Sequence, residues 1–160
     1  MGGGILPVTI YRNNVYFLFS REYINAKHDG GKWSDFGGSK EKNESYFDTA
    51  VREGFEESAG FIGSKSEIKD LVKTQFVKTI TLPEGWRTYI VYIPYDATLP
   101  KRFRDNFLEV KKNNPEKINK NGYYEKDMLK WVRSDKLKDF NKQARPWYKS
   151  VIRLLIKYGI

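Results

Sequence analysis

The segment Gly37–Gly60 limits the possible folds of this chain more than any other segment, because a glycine pair and a polar loop there precede a strongly helical pattern. Within it, Ser45–Ser58 repeats apolar and small residues at the spacing of one helix face. Three glutamates, Glu53, Glu56 and Glu57, occupy the opposite face at i, i+3 and i+4 spacing, so their carboxylates are neighbours. A bound cation that accepts oxygen ligands, such as Mg²⁺, Mn²⁺ or Ca²⁺, would remove their mutual repulsion. The alternative interpretation is a solvated acidic helix face.

Composition narrows the chemistry that is available to such a chain. The 160 residues include no cysteine and a single histidine, His28, which excludes Cys-ligated zinc, iron–sulfur clusters, disulfide scaffolds and thiol nucleophiles. Hydrophobic residues make up 39% and aromatic residues 16%, which is enough for one folded domain with its own core. Catalysis would therefore depend on carboxylates, basic groups, hydroxyls and a bound hard cation.

The sequence also indicates where the protein works and what it meets. No apolar run approaches the ~20 residues that span a bilayer, and Met1–Ile5 lacks the features of a signal peptide, so we expect a cytoplasmic protein without a membrane partner. The formal net charge of +9 indicates polyanionic partners, with solvated lysine-rich faces as the alternative.

Hydrophobic periodicity and turn residues predict a mixed order of strands and helices. The predicted strands are Leu6–Tyr11, Asn14–Ser20, a short extended Lys32–Phe36, Lys73–Leu82, Arg87–Tyr95 and Met128–Arg133. The predicted helices are Ser45–Ser58, Lys101–Lys112 and Pro146–Tyr158, and a polar loop is expected over Asn113–Gly122. Because strands and helices do not alternate regularly, the predicted class is α/β (α+β) with a mixed sheet.

The run Gly38-x5-Glu44-x7-Arg52-Glu53-x2-Glu56-Glu57 has the spacing of the Nudix box, and at these residues the sequence resembles the Nudix hydrolase family. Two positions depart from the usual pattern. Gly54 stands where a bulky aliphatic residue is usual, and we expect Phe55 to supply the missing packing. Ala59-Gly60 shifts the end of the box by one residue, which predicts a helix that ends slightly later with Gly60 as its cap.

The resemblance implies a Nudix-like α/β/α sandwich over roughly Ile5–Lys157, with residues 1–160 forming a single Nudix hydrolase domain. Glu125–Val132 resembles a late strand of that fold, in which acidic residues precede an apolar–tryptophan pair. It also implies a metal-dependent pyrophosphohydrolase that uses Mg²⁺ or Mn²⁺ and cleaves a nucleoside diphosphate linked to a further group.

By the same resemblance, each box residue receives an expected role. Glu53, Glu56, Glu57 and the carbonyl of Gly38 would bind the metal, Arg52 would orient Glu53, and Glu44 would join that network. Glu53 is the first candidate for general base and Glu125 is the second. Separately, Lys40 and Lys42 precede the helix and could contact phosphate, and an aromatic residue could stack on a base, for which the candidates are Trp33, Trp86 and Tyr89.

The substrate is predicted only by class. Lys101–Gly122 holds seven basic and three acidic residues, an excess that would suit an RNA backbone or a polyphosphate. We therefore expect a nucleotide or polyphosphate partner: capped RNA, in mRNA decapping, a dinucleoside polyphosphate or a diphosphoinositol polyphosphate. Two alternatives stay open, a non-catalytic Nudix-like module that binds nucleotide or RNA, and a plain basic nucleic-acid-binding domain with accidental box spacing.

Overall fold

A computed structural model describes all residues, 1–160, as one mixed β-sheet covered by helices on both faces. The strands are β1 (Gly2–Tyr11), β2 (Asn14–Glu22), β3 (Trp33–Ser34), β4 (Phe36–Ser39), β5 (Phe76–Leu82), β6 (Trp86–Tyr92) and β7 (Lys126–Arg133). The helices are α1 (Tyr46–Glu57), α2 (Lys65–Thr74), α3 (Leu99–Asn113), α4 (Leu137–Phe140) and α5 (Lys149–Tyr158). Short 3₁₀ turns cover Pro115–Lys117, Ser134–Lys136, Asn141–Gln143 and Pro146–Tyr148. None of the helices combines the length and the apolar composition that a membrane-spanning helix needs.

Strand β1 organises the sheet. It runs parallel to β6 and antiparallel to both β2 and β4, while β5 extends the sheet beyond β6, and β3 and β7 pair with β2. At its first residues β1 pairs glycine with glycine, Gly3 with Gly38 and Gly4 with Gly37. A side chain at Gly37 would place its Cβ 2.7 Å from the Gly3 carbonyl oxygen, so this close approach requires glycine. Strand β1 thus begins at Gly2, four residues before the predicted start at Leu6.

The two faces of the sheet bury alternate residues of the same strands, as the two-residue period of a strand requires. On one face, Leu6 and Phe17 belong to the core formed with α4 and α5. On the other face, Ile5 packs with α1 and α2, and Leu18 packs with α3. The result is the α/β/α sandwich with a mixed sheet that the sequence predicts.

The predicted strand Lys73–Leu82 is wrong in its first residues, where the structure has the end of helix α2. Ser64 caps that helix, because its hydroxyl accepts from the backbone N–H of Glu67 while the Glu67 carboxylate accepts from the backbone N–H of Ser64. Ile68 and Val72 fill the second core cluster. The Ser64–Glu67 spacing is a capping-box signal that was present in the sequence and that β-propensity downstream obscured.

The end of α1 also differs from the prediction. The helix ends at Glu57, and the reversal begins at Ala59, which adopts a left-handed φ of 50° ahead of Gly60 at 78°. The backbone N–H of Gly60 donates to the Phe55 carbonyl, and that of Ala59 donates to the Glu56 carbonyl, which is a Schellman ending. The helix therefore ends before the reversal and does not run on to the predicted cap at Gly60.

Gly54, inside α1, was expected to leave a packing gap that Phe55 fills, and the structure gives a different reason for the glycine. A Cβ at Gly54 would lie 2.9 Å from Cδ1 of the buried Ile5, so the helix packs closely on β1 at this point. Phe55 is only partly buried and does not occupy this space.

Candidate active site

Arg52 joins the carboxylates of the loop and of helix α1. Its guanidinium binds both oxygens of Glu44 at 2.8 and 2.9 Å, and it donates to Glu53 at 2.8 Å and to Glu56 at 3.3 Å. A further bond, to the carbonyl of Ser39 at 3.0 Å, ties the arginine to the end of β4. The hydrogen bonds from Arg52 lower the pKa of Glu44 to about 2, so Glu44 is ionised and holds the arginine in place.

Each of the three helix glutamates has one oxygen held by the protein and one oxygen left free of it. Glu53 and Glu56 each accept from Arg52 through one oxygen, and Glu57 accepts through Oε2 from the backbone N–H of Gly37 at 2.9 Å. The remaining oxygens make no hydrogen bond within the protein, and none of them is a fully buried acceptor without a partner. No three or more His, Cys, Asp or Glu side chains lie close enough together to hold a metal ion as they stand. The donor set nevertheless fits a hard cation, because it offers carboxylate oxygens that are oriented and accessible.

Gly38 shapes the space in front of Glu53. A Cβ at this position would collide with the Glu53 carboxylate, whose Oε2 it would meet at 2.7 Å. The bare backbone of Gly38 therefore leaves a cradle beside the carboxylate, in which its carbonyl could serve as a further oxygen ligand.

Replacing Gly38 by alanine should displace the Glu53 carboxylate and lower both turnover and Mn²⁺ affinity, with turnover falling about 100-fold. Only the end of a flexible side chain must move, so thermal denaturation should shift by no more than a few degrees. Steady-state kinetics and calorimetric Mn²⁺ titration check this, and an alanine variant with unchanged kinetics and Mn²⁺ binding would show that the cradle has no role.

A buried lysine lies behind the three helix glutamates, Glu53, Glu56 and Glu57, which we call the glutamate wall. The Lys126 side chain is fully buried, and its ammonium donates to Glu22 at 2.6 Å and to the Ser34 hydroxyl at 3.0 Å, with Glu57 Oε2 at 3.6 Å. Arg145 adds a second cation, 3.0 Å from Glu22. Burial alone would lower the pKa of Lys126, but Glu57 and Glu22 offset this effect and raise the pKa, so the lysine stays charged.

A β-bulge places this pair at the site. The register between β2 and β7 shifts between Arg21 and Glu22, where Glu22 lies opposite Lys126. Bulges redirect side chains, and at this one both charged side chains are buried in the protein interior. Sequence reasoning missed Glu22, Lys126 and Arg145, because no local motif marks residues that meet only through strand pairing.

Glu53 and Glu57 face a pocket of about 370 Å³ at the end of the sheet where β1 begins. Its acidic side chains are Glu22, Glu53, Glu57 and Glu125, and its basic or amide side chains are Lys27, His28, Asn119 and Arg145. Glu56 lies beside this pocket, against Gly122. Burial raises the pKa of Glu53 to about 7, against the lowering effect of Arg52 and with a smaller contribution from Glu56 and Glu125.

The structure places Gly38, Glu53, Glu57 and Glu125 in the lining of one pocket, and the predicted substrate contacts do not line it. The ammonium of Lys40 lies 5.1 Å from the centre of the Tyr46 ring, and Lys42 is exposed; neither lines the pocket. The Trp86 ring packs against Trp147, 4.4 Å between centroids, and its Nε1 donates to Thr88. The remaining aromatic candidates, Trp33 and Tyr89, belong to core clusters or pack against them.

A buried acid, Asp35, lies one residue from the glycine pair. Its Oδ2 accepts from the Thr88 hydroxyl at 2.7 Å, while Oδ1 and the nearby Tyr148 hydroxyl have no hydrogen-bond partner. Burial raises the pKa of Asp35 to about 7, with Thr88 acting in the opposite direction. The carboxyl group therefore holds its proton in the folded protein over a range where the unfolded chain has lost it.

This shift predicts how stability depends on pH. Between about pH 4 and 7 the unfolded state binds fewer protons than the folded state, so Asp35 lowers stability as the pH rises. Asp35→Asn should remove this loss and raise the free energy of unfolding by roughly 2–4 kcal/mol at pH 8, with little change at pH 4.5. Denaturant titrations at both pH values test it. The exposed control Asp139→Asn should differ little from wild type at either pH, and equal effects of Asp35→Asn at both pH values would contradict the prediction.

Comparison with known proteins supports the fold. No family model matches the sequence, and no curated protein matches it either. Among solved structures, the Nudix hydrolase RenU from M. smegmatis is 16% identical, with 99% of this chain and 84% of that chain covered and a TM-score of 0.55. A C. elegans Ap4A hydrolase binary complex is 17% identical, with 99% and 96% covered and a TM-score of 0.57.

A third solved structure holds ligands. It is a bifunctional NMN adenylyltransferase/ADP ribose pyrophosphatase from Francisella tularensis, complexed with AMP and Mn ion, and is 15% identical. The alignment covers 98% of this chain and 41% of that one, with a TM-score of 0.55. Together these similarities show that the chain has the Nudix fold, and the fold prediction is confirmed.

Proposed function

We propose that residues 1–160 form one Nudix hydrolase domain, a metal-dependent pyrophosphohydrolase. One observation carries the proposal: Glu53, Glu56 and Glu57 each keep one oxygen free of the protein, while Arg52, Gly37 and Lys126 hold the other. These oxygens, with the Gly38 carbonyl, would hold Mg²⁺ or Mn²⁺. The Francisella tularensis protein, of which 41% aligns with this chain, is a complex with AMP and Mn ion, and this is consistent with that cofactor.

A divalent ion bound there supplies neutralisation of the charge that develops on phosphate oxygens and activation of an attacking water. The protein contributes orientation and proton transfer. Glu53 is our first candidate for the general base, because it lines the pocket and accepts from Arg52 through one oxygen only, which leaves the other free for a proton. Glu125, which lines the same pocket, is the second candidate. Arg52 and Glu44 position Glu53 and do not contact substrate in this proposal.

The substrate proposed is a diphosphate linked to a nucleoside or another phosphate-rich molecule. Its classes are capped RNA, dinucleoside polyphosphates and diphosphoinositol polyphosphates. The basic excess in Lys101–Gly122 favours such polyanions, although Lys101 and Arg102 form ion pairs with Asp105 and Asp96. Lys112, Lys117 and Lys120 form no such pairs and are exposed, so they are the residues that could collect a long polyanion.

A panel of these substrates, with nucleotide sugars and nucleoside triphosphates added, tests the proposal. We expect turnover of at least one class with Mg²⁺ or Mn²⁺ and its loss in a chelator, with products identified by mass spectrometry. Tight, salt-sensitive binding of nucleotide or RNA without turnover of any panel member would support the alternative, a non-catalytic Nudix-like binding module. Binding of neither metal nor nucleotide would overturn both.

A further inference from the structure

The pocket has a second wall that the box does not supply. The loop between β2 and β3, residues 23–32, places Lys27 and His28 in the same pocket as Glu53 and Glu57. Arg145 and Asn119 also line this pocket. The cavity therefore contains both the carboxylates that suit a cation and the donors that suit an anion.

This loop is held to the rest of the protein by several bonds. The backbone N–H of Tyr23 donates to the Glu125 carbonyl, and that of Ile24 donates to Asp127 Oδ2, both at 2.8 Å. At the other end the backbone N–H of Gly31 donates to the Glu22 carbonyl at 3.0 Å, and Arg145 binds Asp29 at 3.1 Å. Lys27 and His28 are thus carried by a loop that is anchored on both sides.

The basic groups of the pocket differ in whether they are already neutralised. Arg145 pairs with Glu22 and Asp29, and Lys126 pairs with Glu22 and Glu57. Lys27 and His28 form no ion pair and no side-chain hydrogen bond within the protein, and both are exposed to solvent. They are therefore the basic groups of the pocket that are free to bind an anion.

We infer that Lys27 and His28 form an anchor for a third phosphate of the substrate, next to the two phosphates of the bond that is cleaved. This inference rests on the proposed function. The glutamate side, with its cation, would take the two phosphates of the scissile linkage, and the loop side then faces whatever group adjoins them. Since that side offers a lysine ammonium and an imidazole, the adjoining group is anionic. Substrates with three or more consecutive phosphates are favoured over those with two.

Binding of two inert probes tests the inference without turnover. They are the methylene-bridged analogues of inorganic triphosphate and of inorganic pyrophosphate, titrated calorimetrically into the protein with Mg²⁺. We expect the wild type to bind the three-phosphorus probe about tenfold more tightly than the two-phosphorus probe. In Lys27→Gln/His28→Asn this ratio should fall to near one, while affinity for the two-phosphorus probe stays unchanged. Because both residues are exposed, the variant should melt like the wild type, and each single variant should lower the ratio in part.

Lys138→Gln, which removes one exposed lysine outside the pocket, is the control and should keep the ratio of the wild type. The inference is overturned by a wild-type ratio near one, by failure to bind either probe, or by a ratio that survives in the double variant. It is also overturned if Lys40→Gln/Lys42→Gln, and not the loop variant, removes the preference. Turnover on the substrate panel is scored separately. If the enzyme is active but the wild type binds both probes equally, the proposed function stands and the anchor is rejected. If the wild type prefers the three-phosphorus probe, the double variant loses that preference and no substrate is turned over, the anchor stands as a binding site.

Discussion

Glu53→Gln should lower kcat by roughly 10²–10⁴-fold on any substrate that the wild type cleaves. The amide can still accept the hydrogen bond from Arg52, which the Glu53 carboxylate accepts at 2.8 Å, so the geometry of the helix should survive. What the variant loses is the negative charge and the basicity of the oxygen that faces the pocket. Glu56→Gln and Glu57→Gln should each reduce turnover by a similar order and weaken Mn²⁺ binding.

The stability of Glu53→Gln shows whether its lower kcat comes from the missing carboxylate or from damage to the fold. Burial and the neighbouring Glu56 and Glu125 disfavour the ionised form of Glu53, so a neutral glutamine should leave the protein at least as stable as the wild type at pH 8. Glu109→Gln, on the exposed face of α3, is the matched control and should keep full activity. A Glu53→Gln protein with more than a tenth of the wild-type kcat would remove Glu53 from the proposed machinery.

Lys126→Met should destabilise the protein by about 3–5 kcal/mol, the largest effect on stability that we expect from a single substitution. The lysine is fully buried between Glu22 and Glu57, and its loss leaves Glu57 without a cation and Glu22 with Arg145 alone. For a chain of this length the melting temperature should fall by roughly 10 °C or more. Urea titration at pH 7 measures the change.

The cause can be separated from loss of packing by a double-mutant cycle. In the wild type Glu22→Gln should destabilise the protein, whereas in the Lys126→Met background it should cost markedly less, because there it removes the repulsion between Glu22, which still pairs with Arg145, and Glu57. Lys130→Met, on the same strand but exposed, should alter stability by less than about 0.5 kcal/mol. Additive effects of Lys126→Met and Glu22→Gln would contradict the interpretation of this cluster as a coupled ion network.

The fold and the glutamate wall could be predicted because their signals are local. The spacing of Glu53, Glu56 and Glu57 on a helix determines their common face, and Gly38, Glu44 and Arg52 lie close to them in sequence. The alternation of Leu6 and Val8 with Ile5, and of Phe17 and Phe19 with Leu18, predicts buried strands by the same kind of short-range pattern.

The rest of the site depends on contacts between distant residues. Glu22 and Lys126 are 104 positions apart and meet only because β2 pairs with β7 across a bulge. Arg145 reaches Asp29 over 116 positions. Helix α2 was missed for a different reason, because its capping box at Ser64 precedes a stretch in which β-branched residues favour a strand. Lys40, Lys42 and Trp86 do not line the pocket, and their proposed contacts with substrate stay predictions.

The most direct measurement is hydrolysis in ¹⁸O-labelled water with Mg²⁺ or Mn²⁺, followed by mass spectrometry of the products. If the pocket cleaves a pyrophosphate linkage, each turnover places one ¹⁸O atom in one of the two phosphate-bearing products. The rate should fall to background in chelator and by at least about 100-fold in Glu53→Gln. Absence of labelled product from every phosphate-rich substrate with either metal, or a labelling rate unchanged by chelator and by Glu53→Gln, would contradict the account.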